Sequence, residues 1–178
     1  MRSLLITAVA ATAVIALTPL SPASAATRAD IGSVSCQGGS LNVQFNPAVT
    51  FKRETVQTQA SGDLGTCTST MYPKITGGTV RIVGSGIGAC PGPFSVGYGK
   101  AQISWNDGTT TVIPQMRFHL DGLSASFEGP VNEGRFKGGF AHANGQTTTS
   151  LIDIGTQCVN GGLTNYATTI DQLTIADI

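Results

Sequence analysis

The sequence predicts an all-β fold, a single antiparallel β-sandwich or flattened barrel of Greek-key type held by two disulfides. Three observations carry this: apolar residues recur with a period of two, glycine and threonine are abundant while charge is sparse, and four cysteines follow an export-like lead. The 178 residues include 23 glycines, and only 11% are charged. Glycine costs about 1 kcal/mol in a helix interior, and threonine loses rotamer freedom there. Such a composition suits short strands joined by tight turns.

The lead, residues 1–25, reads as a secretory signal. Arg2 gives the positive start, Leu4 to Leu17 the apolar run, and Pro19 and Pro22 break it. Ala23-Ser24-Ala25 then forms an A-x-A cleavage site before Ala26. The apolar run of about 14 residues falls short of the roughly 20 that a membrane span needs, and no later stretch approaches that length. The expected mature chain, residues 26–178, has the length of one secreted domain.

Charge gives little toward a partner. Ten basic residues balance ten acidic ones, and the basic residues are scattered, with only Lys52 and Arg53 adjacent. Nucleic-acid binding calls for a dense basic face, so it is set aside. The partner expected is an extracellular ligand or protein, and no cofactor is implied.

Cys36, Cys67, Cys90 and Cys158 all lie beyond the lead. An even count in an exported chain reads as two disulfides. Three pairings are open, and the sequential one, Cys36–Cys67 with Cys90–Cys158, is preferred. Zinc would ask for close pairs such as C-x-x-C, which are lacking, so no metal site is expected.

Each strand follows from alternation. Leu41, Val43 and Phe45 alternate with Asn42 and Gln44, Val49 and Phe51 follow, and Thr55 to Gln59 continues extended. Gly77-Gly78 turns into Thr79 to Val83. Ala101, Ile103 and Trp105 share one face. Val112, Met116, Phe118 and Leu120 share another, with Thr111, Ile113, Gln115, Arg117 and His119 opposite. Ser124 to Phe127, Arg135 to Phe140, Thr148 to Ile154 and Ala167 to Ile175 complete the series. Residues 26–33 read as a lead-in, and no helical stripe persists over three turns. Asn106-Asp107-Gly108 marks a tight hairpin, and Asn132-Glu133-Gly134 marks another between Val131 and Arg135. Pro114 inside its strand demands an edge or a bulge. The expected core is Val43, Phe45, Val80, Ile82, Ile103, Trp105, Met116, Phe118, Phe127, Phe136, Leu151, Ile170 and Ile175.

These turns and cysteines carry a resemblance. The succession Cys36, Phe45-x-Pro47, Cys67, Gly84-x-Gly86, Cys90, Ile103-x-Trp105-x-Asp107-Gly108, Gly129-x-Val131-x-x-Gly134-x-Phe136-x-Gly138 and Cys158 resembles small uncharacterised exported β-domain proteins of actinobacteria. It covers nearly the whole mature chain. It implies fold and export, and it brings no catalytic residues with it.

Candidate chemistry is thin. Gly84-Ser85-Gly86-Ile87-Gly88-Ala89 matches the glycine spacing of a dinucleotide loop, but Cys90-Pro91-Gly92-Pro93 allows no helix after it. A bending glycine-rich strand is the reading adopted. His119-x-Asp121 offers part of a Ser-His-Asp set, yet no G-x-S-x-G elbow occurs and His119 alternates outward. His142 is read as lying in a loop over Ala141 to Gly145. Glu128 and Glu133 bracket a turn and read as a solvated pair offset by Arg135 and Lys137, not as a glycoside-cleaving pair. Asp63 and Asp107 sit in turns without a calcium-loop pattern.

Three residues are singled out for binding: Met71, Tyr72 and Trp105. Trp105, the sole tryptophan, is a sugar platform if exposed and a core residue if it follows Ile103 inward. Met71-Tyr72-Pro73-Lys74, close behind Cys67, has the look of a rigid loop offered to a protease cleft. The functional expectation is a non-enzymatic extracellular or cell-envelope binding protein. A protease inhibitor acting through Met71–Lys74 is the alternative, and a secreted hydrolase using His119 or the glutamates comes third.

Overall fold

The computed structural model describes residues 31–177; the signal-like lead and residues 26–30 lie outside the described residues. Twelve strands form one antiparallel sheet. Its central run is a meander of long strands: β2 (Gly39–Val49), β3 (Glu54–Asp63), β5 (Gly78–Gly88), β6 (Phe94–Trp105), β7 (Thr110–Leu120), β8 (Ser124–Pro130) and β10 (Phe140–Gln146). The short β1 (Val34–Gln37) and β4 (Thr66–Ser69) pair with each other at one end of the sheet, and β9 (Glu133–Gly134) adds to β7. After helix α1 (Leu151–Val159), β11 (Leu163–Ile170) pairs with β2, while β12 (Gln172–Ala176) crosses to lie between β10 and β1. The connectivity departs from simple hairpins at β11 and β12 and also at β1 and β4, which lie at the far end of the sheet from β2, β3 and β5.

An open twisted sheet rarely exceeds about ten strands without curling, and this one curls into a half-barrel. Its two arms meet at the Thr147–Thr168 bridge and at backbone bonds from Thr148 N to Ala167 O (2.8 Å) and from Asp171 N to Asn144 O (2.9 Å). The predicted all-β antiparallel architecture is therefore present in its flattened-barrel form. Both disulfides follow the sequential pairing, Cys36–Cys67 and Cys90–Cys158. Cys36 and Cys67 face each other in the β1–β4 register. Cys90–Cys158 ties the β5–β6 connection to the last turn of α1.

Alternation places the core as expected along β2, where Leu41, Val43 and Phe45 point inward and Asn42 and Gln44 outward. In β5 the inward positions change from Val80 and Ile82 to Gly84 and Gly88. These glycines leave room for rings from neighbouring strands: a Cβ on Gly84 would stand 2.7 Å from Phe118 Cε1, and one on Gly86 2.8 Å from Phe94 Cδ1. The glycine run is a slot for aromatic side chains and belongs wholly to a strand.

Pro114 sits at a bulge, as its missing N–H requires. Ala101 pairs with Ile113 while Gly99 pairs with Met116, so β7 carries one extra residue there. The bulge inverts the faces expected for the first half of β7. Thr111 and Ile113 are buried and Val112 is half-buried, whereas Met116, Phe118 and Leu120 face inward as predicted.

Four local expectations are corrected. Thr148 to Ile154 is not a strand: α1 begins at Leu151, capped by Ser150, whose Oγ accepts from Asp153 N at 3.0 Å. Leu151 is consequently on the helix surface, 60% exposed, and not in the core. Arg135 to Phe140 is not one strand: Arg135 to Gly138 form a turn because Phe136 (φ 60°) and Gly138 (φ 94°) take left-handed backbone, and Phe140 begins β10. The reversal follows β9 instead of occurring at Asn132–Gly134. His142 lies on β10, paired with Glu128 and Thr174, not in a loop. The remaining predicted core residues are all buried.

Candidate functional site

An open cleft lies where three separate segments meet at the β6–β7 hairpin. Asn106-Asp107-Gly108 makes the hairpin turn, with Gly108 at φ 85°. The Asp107 carboxylate accepts from Thr109 Oγ1 at 2.6 Å and Thr109 N at 2.9 Å, and these bonds hold its carboxyl below the usual range. Asn106 fastens the loop after β4 to this turn. Its Nδ2 donates to Lys74 O at 3.1 Å and Thr76 Oγ1 at 3.0 Å, while its Oδ1 accepts from Thr76 N at 2.9 Å and Gly77 N at 3.2 Å. The amide thus uses its full hydrogen-bonding capacity.

Trp105 turns inward and is 3% exposed, so it is a core residue and not a surface platform. Its Nε1 donates to Thr111 Oγ1 at 2.8 Å, which donates onward to Arg135 O at 2.9 Å. Arg135 N donates to Thr110 O at 2.8 Å. The backbone of Arg135 is therefore clamped on both sides to the start of β7. This clamp holds Phe136 in its left-handed conformation, which a non-glycine residue adopts at a cost.

The Phe136 ring is buried and makes two edge contacts. Its centroid lies 5.7 Å from Trp105 and 5.4 Å from Tyr72. The Arg135 guanidinium stacks over the Tyr72 ring at 4.3 Å, an arrangement favoured by the ring quadrupole. Its Nη2 stands 3.9 Å from Asp107 Oδ2, and its Nε is buried without a hydrogen-bond partner. Beside it Lys137 is exposed. Together with Ile31 and Thr109 these residues line a cleft of about 580 Å³, within the range of small-ligand sites.

Two of the sequence-predicted binding residues thus belong to one cluster. Tyr72 forms the cleft wall, and Trp105 supports it from below through Phe136. Met71 is 48% exposed and packs on Gly32. The loop is not extended, because Ile75 N donates to Tyr72 O at 2.9 Å and closes a turn. Arg135, Phe136 and Asn106 were missed in the sequence. The only signal was the Asn-Asp-Gly turn and a phenylalanine set between Gly134 and Gly138.

The other candidates are dispersed. His119 Nε2 lies 3.4 Å from Asp121 Oδ2, but Ser124 Oγ donates to that same oxygen at 2.9 Å. The serine proton is therefore committed to the carboxylate and not to the imidazole. The N–H groups of Ser124 and Leu123 hold the Asp121 carboxyl down to about 2, the signature of an Asx turn. Glu128 is opposite Arg117 and Glu133 opposite Val112 on the same strand, which separates them by about 15 Å. Arg135 neutralises Asp107 and not the glutamates, and the nearest histidine to Glu128 is His142 at 3.9 Å.

Among the described residues no three His, Cys, Asp or Glu side chains stand together as a metal site, and no helix is long and apolar enough to cross a membrane. Compared with protein-family models, curated proteins and solved structures, the chain matches none.

Proposed function

We propose that this chain is a non-enzymatic binding protein that works outside the cytoplasm and holds an anionic group, a carboxylate in first place, in the cleft of Tyr72, Arg135 and Lys137. One observation carries the reading: Arg135 is stacked on Tyr72 and edge-steered by Asp107, so its guanidinium is oriented before any ligand arrives. Arginine held in a plane recognises carboxylates through paired N–H bonds. Pre-orientation reduces the side-chain entropy lost on binding. Asp107 offsets one positive charge, and Lys137 leaves the rim positive. The export-like lead and two disulfides support the extracellular setting.

Calorimetric titration with phenylacetate, which offers both a carboxylate and a ring, tests this. Saturable binding should weaken about tenfold or more in Arg135→Gln, since a charge-assisted hydrogen bond contributes roughly 1.5–3 kcal/mol. Equal binding by Arg135→Gln, or none by the native chain, contradicts the reading.

Asn106 favours a second reading, protease inhibition through Met71–Lys74. It fixes Lys74 and Thr76 to the hairpin, and Met71 projects from the fixed loop. Inhibition of a subtilisin-like protease that is lost in both Met71→Gly and Asn106→Ala supports it. A protease panel without inhibition removes it.

A further inference from the structure

We infer that the cleft between α1 and the outer face of β2 and β11 is a second binding site, for a neutral oligosaccharide. The floor comes from strand alternation. Asn42 and Gln44 point outward from β2, and the ladder sets Ala167 opposite Asn42 and Asn165 opposite Gln44. Paired residues share one face of a sheet, so three amides surround one methyl group, and the small Ala167 gives the floor its depth. The wall comes from the helix period. Asp153, Thr156 and Gln157 stand three and four residues apart, on one side of α1, and all three line the cleft. The space measures about 540 Å³, within the range of small-ligand sites, and it shares no residue with the Arg135 cleft. Access is direct, because Asn42, Gln44, Asp153, Thr156 and Asn165 are all exposed.

The ligand class follows from what these groups have left to offer. Three side chains are already oriented by one bond within the chain. Asp153 Oδ2 accepts from Ser150 Oγ at 2.7 Å, which leaves Oδ1 to accept. Thr149 Oγ1 accepts from Ala167 N at 2.8 Å, which leaves its proton to donate. Asn165 Nδ2 donates to Thr164 Oγ1 at 3.0 Å, which leaves Oδ1 to accept. The side-chain amides of Asn42, Gln44 and Gln157 make no hydrogen bond among the described residues. Donors and acceptors are thus interspersed, which suits a sugar, since each hydroxyl both donates and accepts. An anion is disfavoured, because Asp153 is the one charged group in the lining and it is negative. A peptide is disfavoured on two counts. The β11 backbone is bonded to β2 on one side and, through Ala167 O, to Thr148 N on the other, so no peptide strand can add at the cleft. Val43 and Tyr166 in the lining are buried, so no apolar anchor is presented.

The test titrates nitrogen-labelled chain with maltotriose, cellotriose and N,N′,N″-triacetylchitotriose. At least one should move the side-chain amide signals of Asn42, Gln44, Gln157 and Asn165 along one saturation curve. The midpoint should be the same in about 0.5 M sodium chloride, where charge contacts are screened. Gln44→Ala and Asn42→Ala should each weaken that binding about fivefold, the share of one neutral hydrogen bond. Both should keep the native Tm, since these exposed side chains hold no bond of their own, and either variant alone suffices if the other fails to fold. The Tyr72 and Phe136 signals should stay in place, which separates this site from the Arg135 cleft; failure of phenylacetate to bind touches only that cleft. No saturation by about 30 mM with any of the three sugars, a midpoint that moves with salt, or undiminished binding by the variants overturns the proposal. A sugar that moves Tyr72 and Phe136 instead also overturns it.

Discussion

Replacing Gly84 by alanine tests how the sheet makes room for its aromatic core. The new Cβ would lie 2.7 Å from Phe118 Cε1, 2.7 Å from Tyr98 O and 3.2 Å from Gly99 Cα. Ordinary carbon contacts begin near roughly 3.5 Å, so the ring must withdraw by about 0.8 Å. Phe118 is wedged against Phe94, with centroids 5.7 Å apart. The Tyr98 carbonyl cannot yield without shifting β6, because Ser85 and Tyr98 are ladder partners. Overpacking of this kind costs about 1–3 kcal/mol, and the backbone contact places Gly84→Ala near the middle, about 2 kcal/mol. For a chain of this size that lowers Tm by about 4–8 °C. Thermal unfolding followed by circular dichroism measures it. A Phe118→Leu background should relieve the ring overlap and not the carbonyl, giving a coupling of about 1 kcal/mol in the double-mutant cycle. An unchanged Tm in Gly84→Ala, or no coupling to Phe118, refutes the slot.

Other consequences follow from the same contacts. Changing Cys90 and Cys158 together to serine removes a closure spanning 68 residues, worth about 4 kcal/mol in the chain-entropy model. It should also strip amide-exchange protection from α1, which buries only Ile154 and Cys158; a fully protected helix contradicts this. Thr111→Val breaks the Trp105–Thr111–Arg135 relay and strands two polar groups, costing about 3 kcal/mol in urea unfolding; a loss below about 0.5 kcal/mol rejects the relay. Asp121 has a carboxyl held down to about 2, so its contribution is complete above the unfolded value near 4 and fades as pH falls through 2. Its side chain is 44% exposed, which reduces the contribution to about 1 kcal/mol. Asp121→Asn should therefore destabilise at pH 7 and lose that difference toward pH 2; a constant difference contradicts the assignment.

Much of the fold was legible because strand burial has a strict period. Leu41, Val43 and Phe45 needed only their polar neighbours to declare a face, and Pro114 announced its bulge through the missing N–H. Helix α1 escaped because it has nine residues, too few for a 3.6-residue stripe. Gly155 and β-branched neighbours weaken it further, although Ser150 and Asp153 formed a readable cap. His142 was misread as a loop residue because Ala141 and Ala143 are small. They point inward because Phe127, opposite Ala143 on β8, fills the space beside them. The cleft was the least legible part. Tyr72, Asp107 and Arg135 are brought together only by the meander. No propensity places a phenylalanine at φ 60°; only the surrounding hydrogen bonds and rings do.

The most direct measurement is a residue-resolved map of where phenylalkyl carboxylates touch the labelled chain in solution. Amide and ring signals of Tyr72, Thr109, Arg135, Phe136 and Lys137 should move together along one saturation curve. The Asp121–Ser124 turn should stay unmoved. Signals that shift elsewhere, or that drift linearly without saturating, would show that the stacked arginine is a structural prop and that the binding face lies on another part of the sheet.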